Sequence, residues 1–531
     1  MKSGRGWHDG AISAALALGV AASVAGLLSS GVRLAGEDGF YYFKIAQHLA
    51  SGDGSTFDGL HRTNGYHPLW LLCLVPVFRL QRSPEAAMTA ATLLQGFLLA
   101  ATAPLVYLLA RTRLAPLASG LAVLLWAGLA YGVALSGVEF ALVGALVAAV
   151  ALVLVRGFEG PPRPPPVAYA GMGVLLALAT LARLDTALLA VLVATHLTHR
   201  AWAGSRGATR AAMLWVPVLA VGGAYLLINA ALFGYPLPVS GLVKRLSSTQ
   251  LLKQDPVYVR EGWLAAKAVN VLRPVRHPLG AGMPTILAGG VLPVVLLSLT
   301  AVGARGRALT RWTAGFPEAL RPVVAFAALQ PLAYGLVYHG HYSYAPWYFA
   351  AQPLVAALLA AALAEALGRR LASAALVTEE LVPAAACAAL AVFLAFDAVR
   401  RYQGPAAEEG PLYVAARWAR DNLGPEARIG TWNAGAIAYL SQRQVVNLDG
   451  IVNTVGYVQR EQYDLCGYWR RTGITHLVDV FEAREGSTSM LGTTLPVSRY
   501  YAGCAKDLEL IWSERIPGSP GWPKAFRVRL P

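Results

Sequence analysis

The chain has 531 residues, of which 56% are hydrophobic and only 14% charged, with a formal net charge of +15. A soluble globular domain carries about 25% charged residues, so the composition excludes one and describes a polytopic membrane protein. The excess of Arg and Lys sits mostly in short links between apolar runs and follows membrane topology; no basic segment interleaved with aromatics is present to bind nucleic acid.

In chain order, the apolar run 10–33 follows the basic tip Lys2 and Arg5. It is long for a signal-peptide core and lacks a clear small-residue cleavage site, so it reads as a retained helix and signal anchor. Further runs near the roughly 20 residues needed to span predict helices at 86–110, 117–135, 139–156, 167–183, 185–199, 211–233, 284–303, 322–338, 346–367 and 381–399. The fold class is thus an α-helical polytopic membrane protein with about eleven transmembrane helices. Pro68–Leu80 is apolar but short, and reads as interfacial, re-entrant, or an approach to the next helix. No internal repeat stands out.

Charge asymmetry gives a topology. With a cytoplasmic N-terminus, the inner links hold Arg111, Arg113, Arg156, Arg163, Arg200, Arg206, Arg210, Arg305, Arg307, Arg311, Arg321, Arg369 and Arg370, nearly free of acids. The outer links then hold Glu37, Asp38, Glu139, Arg183, Asp185, the segment 234–283 and His339–Trp347. The expected division is a membrane domain, 1–399, with outer loops 34–85 and 234–283, and an extracytoplasmic α/β domain, 400–531. In the latter, a helix over Leu412–Leu423 stops at Gly424-Pro425. Strands are predicted at Arg428–Trp432, Gln444–Leu448, Ile474–Val480, Leu508–Ser513 and Ala525–Leu530, with a helical stretch over Val458–Arg471. Cys466 and Cys504 fall in this domain, where an oxidising compartment permits a disulfide; sequence does not decide whether their geometry allows it.

The acids Glu37 and Asp38 follow the first span directly, and unpaired charge near lipid is costly. The helix they open is amphipathic, with Tyr41, Ile45 and Leu49 on one side and Lys44, Gln47 and His48 on the other, as in a helix lying at the interface. Two readings stand: the acids cap this helix, or they also do chemistry at the membrane surface. Arg183 with Asp185 reads as a structural ion pair or a phosphate contact. Glu139 reads as capped by Ser136, ion-paired, or binding a hydroxyl. The aromatics Tyr66, Trp70, Trp347 and Tyr348 suit an interfacial belt or sugar stacking.

Several motifs carry a resemblance: the pair Glu37-Asp38 after helix one, Phe40-Tyr-Tyr-Phe43, Thr63-Asn-Gly-Tyr-His-Pro-Leu-Trp70, Ser136-Gly-Val-Glu139, Thr180-Leu-Ala-Arg-Leu-Asp185, Tyr344-Ala-Pro-Trp-Tyr348, Ile429-Gly-Thr-Trp-Asn-Ala-Gly435 and Val446-Asn-Leu-Asp-Gly450. Together they resemble bacterial GT-C-type glycosyltransferases, the multi-spanning enzymes related to protein O-mannosyltransferases and the lipid A aminoarabinose transferase. The resemblance implies inverting transfer of a sugar from a polyprenyl-phosphate donor to a glycan, lipid or protein acceptor on the outer face of a bacterial plasma membrane. The base would be an acid of the first loop. The mannosyltransferases carry Asp then Glu, whereas here Glu37 precedes Asp38; Asp38 is favoured, with Glu37 as a positioning partner or the base itself.

The resemblance also implies a cationic site for the donor phosphate. Pro236-Leu-Pro-Val-Ser-Gly-Leu-Val-Lys-Arg245 is similar to a family segment whose lysine lies near that phosphate, which nominates Lys244 and Arg245, with anionic-lipid contact as the alternative. Arg183, His341 and Tyr344, with His339, join them. The substrate-facing set is Tyr41, Asn64, Tyr66, His67, Trp70, Glu139 and Trp347. No cofactor is required; an acidic pair is able to hold a divalent ion, but His339 and His341 lack a clear third ligand. The competing class is a transporter or flippase of lipid-linked sugars, which would place charges near the bilayer midplane and often show inverted repeats.

Overall fold

The computed structural model describes residues 3–29, 35–81, 83–160, 163–202, 206–276, 318–340, 345–374, 378–390, 410–483, 502–517 and 519–529. From the N-terminus run α1 (Ser3–Ser29), α2 (Glu37–Ser51), α3 (Pro68–Leu80), α4 (Pro84–Ala110), α5 (Pro116–Ala134), α6 (Phe140–Phe158), α7 (Pro166–Ala182), α8 (Ala187–Trp202) and α9 (Gly207–Phe233). A polar excursion then forms α10 (Val239–Gln254), α11 (Pro256–Glu261) and α12 (Trp263–Arg276). The bundle resumes with α13 (Arg321–Val337), α14 (Ala351–Ser373) and α15 (Leu381–Leu390). Proline occupies the first turn of α3, α4, α5 and α7, where its missing N–H costs nothing. Ser83 caps α4 by accepting from Ala86 N.

Among the described residues, seven helices are long and apolar enough to cross a membrane, so the chain is a multi-pass membrane protein. The runs 167–183 and 185–199 form α7 and α8, helices of 17 and 16 residues, below the roughly 20 that span the hydrocarbon. The expected span 284–303 lies outside the described residues, as do Arg305, Arg307 and Arg311, and only the start of 381–399 lies within them. Pro68–Leu80 is a helix of 13 residues, too short to cross.

One end of the bundle is knitted by basic links. Arg111 pairs with Asp9 at 2.8 Å, Arg113 with Glu159 at 2.5 Å, and Ala115 N donates to Glu365 Oε2 at 2.8 Å. At the other end gather the starts of α4, α6, α8 and α14 and the ends of α5, α7, α9 and α13, and there α2, α3 and α10 are placed. All the site chemistry lies at that end.

The C-terminal region folds as α16 (Pro411–Asn422), β1 (Arg428–Thr431), α17 (Ala434–Ser441), β2 (Gln444–Asn447), α18 (Val455–Gln459), α19 (Leu465–Thr472), β3 (His476–Glu482), β4 (Leu508–Ser513) and β5 (Gly521–Val528). The sheet order is β2-β1-β3-β5-β4. β2, β1 and β3 are parallel, whereas β5 runs antiparallel to both β3 and β4. The parallel pair β1–β2 requires a crossover, which α17 supplies. Cys466 and Cys504 form a disulfide that ties α19 to the segment before β4. The division at 399/400 lies outside the described residues.

Helix α2 departs from the sequence reading. It is not an interfacial helix with one solvated face: Phe40, Tyr41, Tyr42, Phe43, Ile45 and even Lys44 are all buried. It lies between α3 and α17, and Phe40, Phe43, Phe78 and Tyr439 form a ring cluster with centroids 5.6–6.1 Å apart. The polar face implied by periodicity is covered by a helix some 400 positions away, a long-range contact that local pattern does not encode.

Candidate active site

The backbone near the acids is set by a close approach. Gly36 N donates to Ser136 O at 2.9 Å, and Gly39 lies so near Gly137 that a Cβ on either would sit within 2.8 Å of the other's Cα. Gly137 also takes φ +92°, which only glycine adopts freely. This contact fixes the first turn of α2 against the start of α6, and Trp70 Nε1 seals it by donating to Gly137 O at 2.9 Å.

Neither acid caps α2: its N-cap is Gly36, with no side-chain cap bond. The two acids diverge, because neighbours on a helix point about 100° apart. Glu37 turns toward the C-terminal region, where its carboxylate accepts from Gly435 N and, at 3.0 Å, from Ala436 N. Asp38 instead lines an open cleft with Tyr41, Tyr42, Ile45, Gly65, Tyr66, His67, Val138, Glu139, Arg183, Ser240, Lys244, Trp347, Ile451 and Val452.

Electrostatics separate the acids further. Burial pushes Glu37 up to about 8, against the pull of the two N–H donors at the head of α17. Burial also raises Asp38 above the usual carboxylate range, while the Lys244 ammonium in the same cleft pulls it down. Asp449, at the C-terminal end of β2, is pushed up to about 7, chiefly by burial, with Asp38 and Asp479 adding to the effect. Burial drives the His67 imidazole down to about 4, so it is neutral at physiological pH.

Lys244 sits on α10 with its Nζ 5.0 Å from the centroid of the Tyr348 ring. Among the described residues no carboxylate lies within ion-pair distance of it. Arg245, one position on, is exposed and does not line the cleft. Arg183 does line it, but its guanidinium is engaged on all sides. It pairs with Glu139, bonds Asp185 Oδ2 at 3.1 Å, and donates to Tyr334 OH at 3.1 Å, with its Cζ 4.6 Å above Tyr348. Tyr334 and Gln330 also donate to Asp185 Oδ2, at 2.6 and 2.9 Å, while Asp185 Oδ1 is buried with no hydrogen-bond partner, and Tyr42 OH donates to Glu139 Oε2 at 2.9 Å. The Glu139 reading resolves to an ion pair with Arg183; Ser136 turns back to Val133 O instead of capping α6.

Tyr41, Tyr66, His67, Glu139 and Trp347 all line the cleft, and Asn64 and Trp70 do not. Trp70 is fully buried, so it offers a sugar no surface to stack on. Asn64 is a brace: its Nδ2 donates to Asn229 Oδ1 at 2.8 Å and Leu237 O at 3.0 Å, and its Oδ1 accepts from Val239 N at 3.0 Å. It thereby fixes the start of the helix carrying Lys244. His339 is buried and pairs with Asp255 at 2.9 Å, while His341 and Tyr344 lie outside the described residues. Among the described residues no three His, Cys, Asp or Glu side chains converge as a metal-binding group. Sequence reasoning missed Tyr42, Ser240, Ile451 and Val452. Tyr42 was within reach as part of the aromatic run, whereas Ile451 and Val452 carry no local mark of a site.

A family model described as a domain of unknown function, DUF8728, matches residues 399–512, and no curated protein sequence matches the chain. By structure the chain is similar to ArnT from Cupriavidus metallidurans bound to undecaprenyl phosphate, at 15% identity and TM-score 0.55, over 98% of both chains. It is similar to the apo form of that protein at 15% identity and TM-score 0.54, over 99% of this chain and 98% of the other. The Archaeoglobus fulgidus oligosaccharyltransferase in its apo form is similar at 13% identity and TM-score 0.52, over 88% of this chain and 69% of the other. The fold is therefore that of the GT-C-type glycosyltransferases, with a small C-terminal sheet domain.

Proposed function

We propose that the protein transfers a single sugar, with inversion, from a polyprenyl-phosphate donor to an acceptor hydroxyl on the extracytoplasmic face of a bacterial plasma membrane. The acceptor class is an envelope glycan, lipid or protein. One observation carries the reading: an acid without a hydrogen-bond partner among the described residues, Asp38, and a cation without a carboxylate partner, Lys244, line the same cleft at one end of a membrane bundle. Similarity to a fold whose solved member ArnT holds undecaprenyl phosphate supports a lipid-phosphate donor.

In this reading the Asp38 carboxylate takes the proton of the acceptor hydroxyl as that oxygen attacks the anomeric carbon. The bond from that carbon to the phosphate oxygen breaks, and its electron pair leaves with the polyprenyl phosphate. Lys244 stabilises the departing phosphate, and Arg183 contributes its field from within its network. A single displacement inverts the anomeric centre. Tyr66, Trp347 and the Tyr41–Tyr42 pair bound the sugar. Arg245 projects away from the cleft, which leaves Lys244 as the phosphate ligand of choice.

The test is release of polyprenyl phosphate by the purified full chain, given undecaprenyl-phosphate-linked sugars and an envelope extract as acceptor. Acceptor-dependent release that is lost in Asp38→Asn supports the reading. Undiminished release by a folded Asp38→Asn variant, or movement of the donor across sealed vesicles without glycosidic bond formation, overturns it.

A further inference from the structure

Helix α17 begins in an unusual way. Its N-cap residue, Asn433, makes no side-chain cap bond, because its amide is committed elsewhere: Nδ2 donates to Asp479 Oδ1 at 2.8 Å. The first N–H groups of a helix have no partner within it. Here they are met from outside the C-terminal region. Ala434 N donates to Tyr41 OH at 3.3 Å, Gly435 N to Glu37, and Ala436 N to Glu37 Oε2 at 3.0 Å. Tyr41 OH in turn donates to Trp432 O at 3.4 Å. Glu37 and Tyr41 are four residues apart and share one face of α2, so a single face of that helix caps three successive amides of α17.

The contact is close as well as polar. A Cβ on Gly435 would fall 2.4 Å from the Glu37 carbonyl oxygen, so only glycine permits this approach. The turn that leads into α17 is held rigid by Asp479, which accepts from Thr431 Oγ1 at 2.6 Å, Trp432 N at 2.8 Å and Asn433 N at 3.1 Å. From the same region Ile451 and Val452 form part of the cleft wall facing Asp38.

We infer that the C-terminal domain serves the reaction by clamping α2, and that Glu37 is the positioning residue through which it fixes the neighbouring Asp38. The inference rests on Asp38 being the base. Glu37 contacts neither the cleft nor its contents; it acts by holding the helix on which Asp38 stands. Without the clamp, the first turn of α2 is held on its α6 side alone, and the distance between base and phosphate site is less tightly set.

Glu37→Ala, Glu37→Gln, Gly435→Ala and Asp38→Asn test this in the full chain, by donor turnover and by hydrogen exchange at the Gly435 and Ala436 amides. Misplacing a reacting group by about 1 Å costs about 10²-fold. Glu37→Ala should therefore lower kcat on that order while donor KM, set by Lys244 and Trp347, stays within about threefold, and the two amides should exchange faster. Glu37→Gln keeps one acceptor oxygen and should recover part of both. Gly435→Ala leaves both acids intact, yet should reproduce the loss. Gly456→Ala, in the same domain, adds a Cβ with nothing nearer than 3.7 Å and should leave kcat unchanged.

Should Glu37→Ala not fold, Gly435→Ala and Glu37→Gln carry the test. Full kcat in Glu37→Ala or Gly435→Ala overturns the clamp. So does lost turnover with unchanged amide exchange, which would make Glu37 a group that reacts directly. Full turnover in Asp38→Asn instead overturns the assignment of the base, and the amide-exchange result then stands on its own.

Discussion

The two walls of the cleft differ in how their charges are satisfied. On the α6–α7 wall, Glu139, Arg183 and Asp185 are joined to each other and to Tyr42, Tyr334 and Gln330. Arg183 is 4% exposed and Glu139 2%. The open wall is formed by Asp38 and Lys244, which line the same cleft, Asp38 without a hydrogen-bond partner and Lys244 without a carboxylate partner among the described residues. A buried charge held in an ion pair is scaffold, since its partners are fixed and its removal strands them. A charge left without a partner beside a cavity is available to a ligand. Proximity to the site alone therefore does not distinguish Arg183 from Lys244; the state of their partners does.

Breaking the open wall should cost chemistry. General-base catalysis is worth about 10² to 10⁴, so Asp38→Asn should lower turnover by about 10³-fold or more, with donor binding by titration little changed. Lys244→Met removes the cation opposite the leaving phosphate, and loss of one such group costs about 10² in kcat; Lys244→Arg should restore much of it. Breaking the closed wall should cost stability first. Glu139→Gln leaves Arg183 partly uncompensated, and losing one partner of a buried pair costs about 3 to 5 kcal/mol. Thermal unfolding should show that loss, and Glu139→Gln combined with Arg183→Met should recover part of it. A Glu139→Gln protein of unchanged Tm would erase the distinction between the walls.

Much of the frame was legible in the sequence because it follows from local chemistry. Proline and glycine marked the helix ends, apolar length marked the spans, and alternation of apolar residues between turn signals marked strands such as Leu508–Ser513. Among the described residues, Glu37, Asp38, Glu139, Arg183 and Asp185, which charge asymmetry assigned to one set of links, do gather at one end of the bundle. What sequence left open depended on contacts far apart in the chain. That Glu37 turns to α17 while Asp38 lines the cleft depends on contacts nearly 400 residues later. Helix phase separates Lys244 from Arg245, but which of them meets the cleft depends on how Asn64 and Asn229 seat α10. Arg183 was matched to Asp185, its near neighbour in sequence, while its buried partner Glu139 lies 44 positions away. Trp70 looked like a stacking platform because an indole beside a polar motif looks the same in sequence whether it faces a sugar or a carbonyl.

The smallest expected effect is also the sharpest test of the two walls, because it has opposite signs on them. Asp38 has a folded-state carboxyl raised above its ordinary value, chiefly by burial. Between the unfolded and folded values the native state holds the proton that the unfolded state has released, so stability falls as pH rises through that window. Above that window the ionised Asp38 is thus a destabilising group, kept for its availability in the cleft. Asp38→Asn should raise Tm slightly at pH 7 while abolishing turnover, and the gain should vanish as the pH is lowered below the ordinary carboxylate range. Lys244→Met should have the companion effect. Lys244 is the largest influence holding Asp38 down, so its removal should move the acid limb of kcat/KM to higher pH, and Lys244→Arg should return it. If Asp38→Asn lowered Tm as Glu139→Gln does, Asp38 would belong to the satisfied scaffold, and the open wall would have lost its base.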